Sequence, residues 1–326
     1  MSKVSVLVAV YNASQYLGKC LDSLMSQTLS DIQIVCVDDC STDDSLSILN
    51  DYAVRDSRMV VIHLDENCGQ AHARNAGLTV ADGEYVCMLD ADDWFSPDAL
   101  EQAVAVFEEY KQTDSVLFDV VMTYADHSEM YPMADFVKLS GSEAFRLSLT
   151  WQIHGLYMVR ASIHKKHPYD ETCKLYSDDN TTRIHYAVSR EVRHCHGKYY
   201  YRQHEQSATH IANVHRFDYL KANESMRRQM IELGTSQELI DEYENHRWLN
   251  VVDVCMFYHC HGRELSAKDR AYGLNEIRRV WQTIDRSALD PKITAKFGYR
   301  PMATWWQFRV QEWLYFTIRG LMGKNC

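Results

Sequence analysis

Four times in its first 110 residues the chain passes from a short apolar run to a longer amphipathic one, and this alternation most restricts its fold. Residues 4–10 are a valine-rich run of the kind buried on both faces of a sheet. A helix is expected over 13–27, where Tyr16, Leu17, Cys20, Leu21 and Leu24 recur at helical spacing. Residues 32–37 read as a second strand ending at Asp38-Asp39, 59–64 as a third, and 85–89 as a fourth ending at Asp90. Helices are expected between them over 46–55, capped by Ser41, Thr42, Asp43 and Asp44, and over 70–81. Ser96-Pro97-Asp98 opens a further helix, with proline at its first position. Such alternation predicts an α/β fold, a mostly parallel sheet with helices on both faces. Ligands bind such sheets beyond the carboxyl ends of the strands. Asp38-Asp39 and the run Asp90, Asp92 and Asp93 both sit at such ends, so the two acidic clusters are expected to face one crevice.

Beyond residue 112 the pattern loosens, with strands expected near 115–123 and 197–202, and from Val214 onward it is helical. The expected division is an α/β domain over 1–212, with a regular half at about 1–112 and a looser half at about 113–212, followed by a helical region over 213–326. A net charge of −11 argues against nucleic acid as a partner. That charge is uneven: residues 292–326 hold six basic side chains against Glu312, a tail of +5 on a remainder of −16. No stretch of 18 apolar residues occurs, no secretory signal is expected at Met1-Ser2-Lys3, and the ten cysteines read as reduced thiols. The expected location is the cytoplasm, with the inner face of the plasma membrane as a contact.

Carboxylates at i and i+2 on a strand end can share one hard divalent cation, and Mg²⁺ or Mn²⁺ takes such oxygen ligands while keeping sites for phosphate. A bound cation neutralises a departing diphosphate without proton transfer. Asp-x-Asp alone is a common solvated loop; its position after Tyr85-Val86-Cys87-Met88-Leu89 is what raises it above that. A nucleotidylyltransferase or a dinucleotide-binding oxidoreductase would carry a glycine-rich loop after the first strand, where this chain has Tyr11-Asn12-Ala13-Ser14 and no glycine before Gly18.

The segments Val10-Tyr11-Asn12, Val37-Asp38-Asp39-Cys40-Ser41, Asn67-x-Gly69 with Ala73-Arg74-Asn75-Ala76-Gly77, Gly83-Glu84-Tyr85 and Leu89-Asp90-Ala91-Asp92-Asp93 together resemble family 2 glycosyltransferases of the GT-A fold, over about residues 3–110. Ala9 departs from the family's usual proline without removing a chemical group. The resemblance implies an inverting, metal-dependent transfer of a hexose or N-acetylhexosamine from a UDP-sugar to a glycan or lipid-linked acceptor, in bacterial surface-polysaccharide or lipopolysaccharide synthesis. By position it implies that Tyr11 and Asp39 hold uracil and ribose, that Arg74 lies near the base or diphosphate, that Asp90 meets the ribose or a metal-bound water, and that Asp92 is the direct metal ligand. Ser177-Asp178-Asp179-Asn180 resembles the family's acidic pair, with Asp179 as the base for the acceptor hydroxyl and Asp178 as its neighbour; capping of the following helix is the structural alternative. In the segment after Tyr199-Tyr200-Tyr201, Arg202 is expected to reach the diphosphate and His204 to complete the metal shell, where imidazole suits Mn²⁺ better than Mg²⁺. A scaffold that kept the fold without activity is the rival from another class.

His194-Cys195-His196 and His259-Cys260-His261 lack the paired spacing of a zinc site and are expected to be structural. At 100° per residue, Met302, Ala303, Trp306, Val310, Trp313, Leu314, Thr317 and Leu321 form one stripe, with Arg309, Glu312 and Arg319 on a polar sector that also holds Trp305 and Phe316. Such a helix is expected either to lie in a membrane interface or to pack back on the protein. Acceptor recognition is expected from residues 124–169, including Trp151 and His154.

Overall fold

The computed structural model describes residues 1–173, 176, 178–203 and 213–324. They group into two compact units, Met1–Ser207 and Ala208–Cys326.

The first unit begins as the alternation predicts: β1 (Val4–Val10), α1 (Ser14–Met25), β2 (Ile32–Asp38), α2 (Ser45–Arg55), β3 (Met59–His63), α3 (Gln70–Val80) and β4 (Tyr85–Met88). After β5 (Trp94–Phe95) comes α4 (Ala99–Glu109), which starts two residues beyond Pro97 and so corrects the expected first position of that helix. The looser segment holds β6 (Thr113–Thr123), β7 (Ser128–Met130), β8 (Leu139–Ser140), α5 (Gly141–Leu149), β9 (Tyr157–Arg160), α6 (Ala161–Lys166), α7 (Asp178–Val188) and β10 (Glu191–Arg202). β10 starts six residues before the expected 197, because its first half alternates buried Val192 with polar residues instead of forming an apolar run.

These ten strands form one sheet in the order β3-β2-β1-β4-β9-β6-β10-β5, with β7 on β6 and β8 on β10. β1 pairs parallel with both β2 and β4, so the strand order turns at β1. β9 runs antiparallel between β4 and β6, which keeps β4, β6 and β10 pointing the same way. The carboxyl ends of β1, β2, β4, β6 and β10 therefore share one edge, the edge at which ligands enter such sheets. Val4, Val6, Val8 and Val10 pack on one face, while Leu7, Val35 and Val37 pack on the other. Gly77 keeps α3 close to this second face: a Cβ there would stand 3.2 Å from Val37.

The second unit holds α8 (Asp218–Glu232), α9 (Gln237–His261), α10 (Ala267–Thr283), α11 (Pro291–Thr294) and α12 (Trp305–Leu321). Its core gathers Phe217, Trp248, Val251, Ile277, Trp281, Phe308 and Phe316. α12 buries Phe308, Gln311, Glu312 and Phe316, while Trp306 is 72% and Trp313 59% exposed, so of the two expected outcomes it does not adopt packing with the tryptophans inward. The sector expected to be polar is thus the packed one. No helix among the described residues is long and apolar enough to cross a membrane.

Candidate functional site

Two acidic loops leave the same sheet edge. Val10 pairs with Asp38 at the ends of β1 and β2, and the Asp39 amide donates to the Val10 carbonyl at 2.8 Å. Asp39 is buried and clamps the loop that opens α3. Its Oδ1 accepts from the Cys68 amide at 2.8 Å, and its Oδ2 from the Gly69 amide at 2.8 Å and Asn67 Nδ2 at 3.0 Å. Gly69 has φ +94°, a conformation natural to glycine, which turns the chain into the helix. Tyr11, at the end of β1, is half exposed, with Asn12 beside it at φ +49°.

From the first turn of α3, Gln70 Nε2 donates to Asp90 Oδ1 at 3.0 Å. One turn on, the buried Arg74 reaches the same oxygen through Nη2 at 2.6 Å. Arg74 Nη1 lies 3.8 Å from Asp178 Oδ2, and its guanidinium sits 5.2 Å from the Tyr169 ring centroid. Arg74 thus ties Asp90 to the start of α7. Burial raises the Asp90 carboxyl, and the Asp92 and Asp178 charges add to this, while Arg74 pulls it down.

Asp93 is held from β10. Tyr199 donates its hydroxyl proton to Asp93 Oδ2 at 2.8 Å, and the Arg202 amide donates to Oδ1 at 2.7 Å. The Tyr199 oxygen also accepts from the Asp90 amide at 3.1 Å. Burial pushes Asp93 up to about 9, with Asp90 and Asp92 adding to the shift. Arg202 Nε donates to the Asp92 carbonyl at 2.8 Å, and its guanidinium stacks 4.9 Å from both Tyr16 and Trp94. Lys19 lies 3.2 Å over the same Trp94 ring. Asp90, Asp92, Arg74, Asp178 and Arg202 are therefore joined through one set of contacts. Gln70, which holds Asp90, and Tyr199, which holds Asp93, are the parts that sequence reasoning missed. Gln70 follows the quoted Asn67-x-Gly69 directly, and that adjacency was its available signal.

α7 opens with Asp178 and Asp179 in its first turn, where the helix dipole favours acids. Asp179 Oδ2 is 4.0 Å from Arg183 Nη2, one turn along. Burial nevertheless pushes the Asp179 carboxyl up to about 7, opposed by Arg183 and reinforced by Asp178. His204 lies outside the described residues.

The donors at Asp90 and Asp92 are oxygens, the set that hard Mg²⁺ or Mn²⁺ prefers. Gln70 and Arg74 both take Oδ1 of Asp90, and no described residue donates to its Oδ2. The Asp90 and Asp93 carboxyls are both raised, by burial first and by neighbouring acids in addition, a strain that a bound cation would relieve. These residues fit a divalent cation.

The family model described as glycosyl transferase family 2 matches residues 5–167. The chain belongs to that family. Within glycosyl transferase family 2, the putative glycosyltransferase EpsH of Bacillus subtilis is 42% identical over 123 residues, which are 38% of this chain and 35% of EpsH. The poly(ribitol-phosphate) beta-glucosyltransferase of Bacillus spizizenii is 44% identical over 101 residues, 30% of this chain and 16% of that protein. The chain spans between 16% and 40% of the length of the first curated relatives it matches. Among solved structures, S. aureus TarS 1-349 in complex with UDP-GlcNAc aligns with a TM-score of 0.77 at 19% identity, covering 99% of this chain and 92% of TarS. The mannosyltransferase PcManGT from Pyrobaculum calidifontis, in complex with GDP-Man and Mn²⁺, aligns with a TM-score of 0.55 at 17% identity, covering 99% of this chain and 88% of that one. The GT-A fold expected from the motifs is the fold the chain adopts.

Proposed function

We propose that the protein is an inverting, metal-dependent glycosyltransferase that moves a hexose or N-acetylhexosamine from a UDP-sugar to a glycan or lipid-linked acceptor of the bacterial cell surface. The observation that carries this is the continuous chain of contacts from Asp90 through Arg74 to Asp178, beside an Asp179 carboxyl pushed up to about 7. It joins an acidic donor-side cluster to a carboxylate tuned for a general base near neutral pH. The UDP complex of TarS and the surface-polymer relatives support the donor and acceptor classes.

In this reading Asp92, with Asp90 beside it at the ribose or a metal-bound water, would hold Mg²⁺ or Mn²⁺, which when bound would neutralise the departing diphosphate. Arg74 and Gln70 keep Asp90 oriented, and Tyr199 and the Arg202 amide hold the loop through Asp93. Tyr11 and Asp39 border the uridine. Asp179 takes the proton from the acceptor hydroxyl as its oxygen bonds to the anomeric carbon from the face opposite the diphosphate. The anomeric C–O bond to the diphosphate breaks in the same displacement, which inverts the centre. In the same reading Arg202 serves the diphosphate and His204 the cation, and the exposed tryptophans and basic residues of α12 support peripheral membrane contact.

Two substitutions test this. Asp92→Ala should abolish metal-dependent donor turnover with an unchanged circular dichroism spectrum. Asp179→Asn should abolish transfer while calorimetry still detects UDP binding in the presence of Mn²⁺. Full activity in either variant rejects the corresponding assignment.

A further inference from the structure

A second set of metal-ligating side chains lies away from the crevice. Asp119 on β6 and His194 and His196 on β10 each offer one ligand atom, and these atoms lie within 4.8 Å of one another. No other trio of acids, histidines or cysteines among the described residues converges in this way.

A backbone irregularity creates the convergence. β10 pairs His194 with Leu117 and then Lys198 with Asp119, so four residues of β10 advance against two of β6. The extra residues form a bulge, a device that re-aims side chains. Here the bulge brings His196 Nδ1 to 3.3 Å from Asp119 Oδ2. It leaves His194 Nδ1 buried without a hydrogen-bond partner. The His194 ring is edge-on to Phe136 at 5.2 Å and to His196 at 5.6 Å, so its plane is set by packing. Gly197 locks the bulge in place: a Cβ there would stand 2.6 Å from the Ala99 Cα at the start of α4.

This trio is separate from the donor crevice. Asp119 lies four residues before Thr123, the last residue of β6, so it sits about 13 Å below the carboxyl edge. Phe118, Val120, Cys195 and Tyr199 belong to one core cluster, while Leu117 and Val192, which share the parity of Asp119 and His194, belong to another. The trio and the Tyr199 ring therefore lie on opposite faces of the sheet.

We propose that Asp119, His194 and His196 form a second metal site, for a borderline transition ion such as Zn²⁺, that pins the β10 bulge. Two imidazoles and one carboxylate suit Zn²⁺, unlike the all-oxygen set at Asp90 and Asp92. Tetrahedral Zn²⁺ with bonds of about 2.1 Å needs ligand atoms about 3.4 Å apart. The His196 side chain is 79% exposed and free to swing inward by that difference. Ligation through Nδ1 would give that buried His194 nitrogen its partner and leave the proton on Nε2. The exposed side leaves a fourth position for water. β10 runs on from this point to Tyr199 and Arg202, so the ion would stiffen the strand that holds Asp93.

The test is calorimetric titration of the untagged full chain with ZnCl₂, in wild type and in His196→Ala, Asp119→Asn and Asp92→Ala. Wild type and Asp92→Ala should bind one Zn²⁺ with equal affinity, and His196→Ala and Asp119→Asn should each bind at least tenfold more weakly. Zn²⁺ should raise the unfolding midpoint of wild type but not of His196→Ala. Unchanged Zn²⁺ binding in His196→Ala, or loss of binding in Asp92→Ala instead, overturns the proposal. So does the absence of Zn²⁺ binding by wild type at micromolar concentration. Because His196 is a surface side chain, metal-free midpoints of wild type and variant should agree, which separates lost ligation from lost folding.

Discussion

Arg183→Gln should move the pH dependence of transfer toward the alkaline side. Arg183 Nη2 stands 4.0 Å from Asp179 Oδ2 and is the cation that opposes burial at this carboxyl. Two unit charges about 4 Å apart interact by about 1 kcal/mol in water and about 4 kcal/mol at an effective dielectric constant of about 20. At about 1.4 kcal/mol per pKa unit this is roughly 1 to 3 units. Asp179 is 21% exposed, so the interaction is screened in part and lies between those limits. With its carboxyl at about 7, wild type should reach half of its plateau kcat/KM near pH 7. At pH 6 it should hold about a tenth of the plateau, and at pH 5 about a hundredth, because each unit below the pKa costs about tenfold. Arg183→Gln should lift that half-point to at least about 8, so that activity at pH 7 falls to about a tenth of the variant's own plateau. Asp178→Asn removes a like charge and should shift the half-point the other way. The assay is the initial rate of UDP release with saturating donor and cation, from pH 5 to 9, on variants with wild-type circular dichroism. A wild-type rate that stays flat down to pH 5 refutes the assignment of Asp179 as base. So does an Arg183→Gln profile that drops in height without moving.

The same carboxyl should cost stability. Its folded value of about 7 exceeds the ordinary 3.8, so the penalty is absent below pH 3.8, grows as pH rises, and is complete above pH 7. Asp179→Asn should therefore be more stable than wild type at pH 8, by up to about 4 kcal/mol, and show no advantage at pH 4; denaturant titration at both values checks this. Tyr199→Phe removes the proton donated to buried Asp93 and should cost about 1–3 kcal/mol while weakening Mn²⁺ binding, measured by thermal unfolding and calorimetry. An unchanged Mn²⁺ affinity would mean that Asp93 does not hold the metal loop. Gly197→Ala forces a Cβ against the Ala99 backbone and should cost about 1–3 kcal/mol, read as a lower unfolding midpoint.

The first 112 residues were legible because their signals are local. The valine run of β1, the apolar runs of β2 and β4, and the acids that follow each strand stand in sequence order, and the observed elements end within two residues of expectation. The segment that follows was less legible for a physical reason. β9 is four residues long and runs against its neighbours, and β10 breaks its own register at the bulge, so neither displays a sustained period. For α12 the sequence left two outcomes open, and its stripe of tryptophans faces outward. Hydrophobicity ranks Trp306 and Trp313 as the side to bury, but the face that packs in the second unit's core is set by Phe308 and Phe316. Glu312 is carried into the interior with them, and burial pushes its carboxyl up to about 8.

What the sequence alone determined is the order of strands and helices, the family, and the exit of two acidic loops at strand ends, because period and motif are written in neighbouring residues. What tertiary structure decided is which of those acids are held and by what. Asp93 and Tyr199 are 106 positions apart, Arg74 and Asp178 meet across α3 and α7, and Asp119 finds His196 through a bulge. Each of these contacts depends on strand order and register, which arise when distant segments pack and which no local pattern encodes.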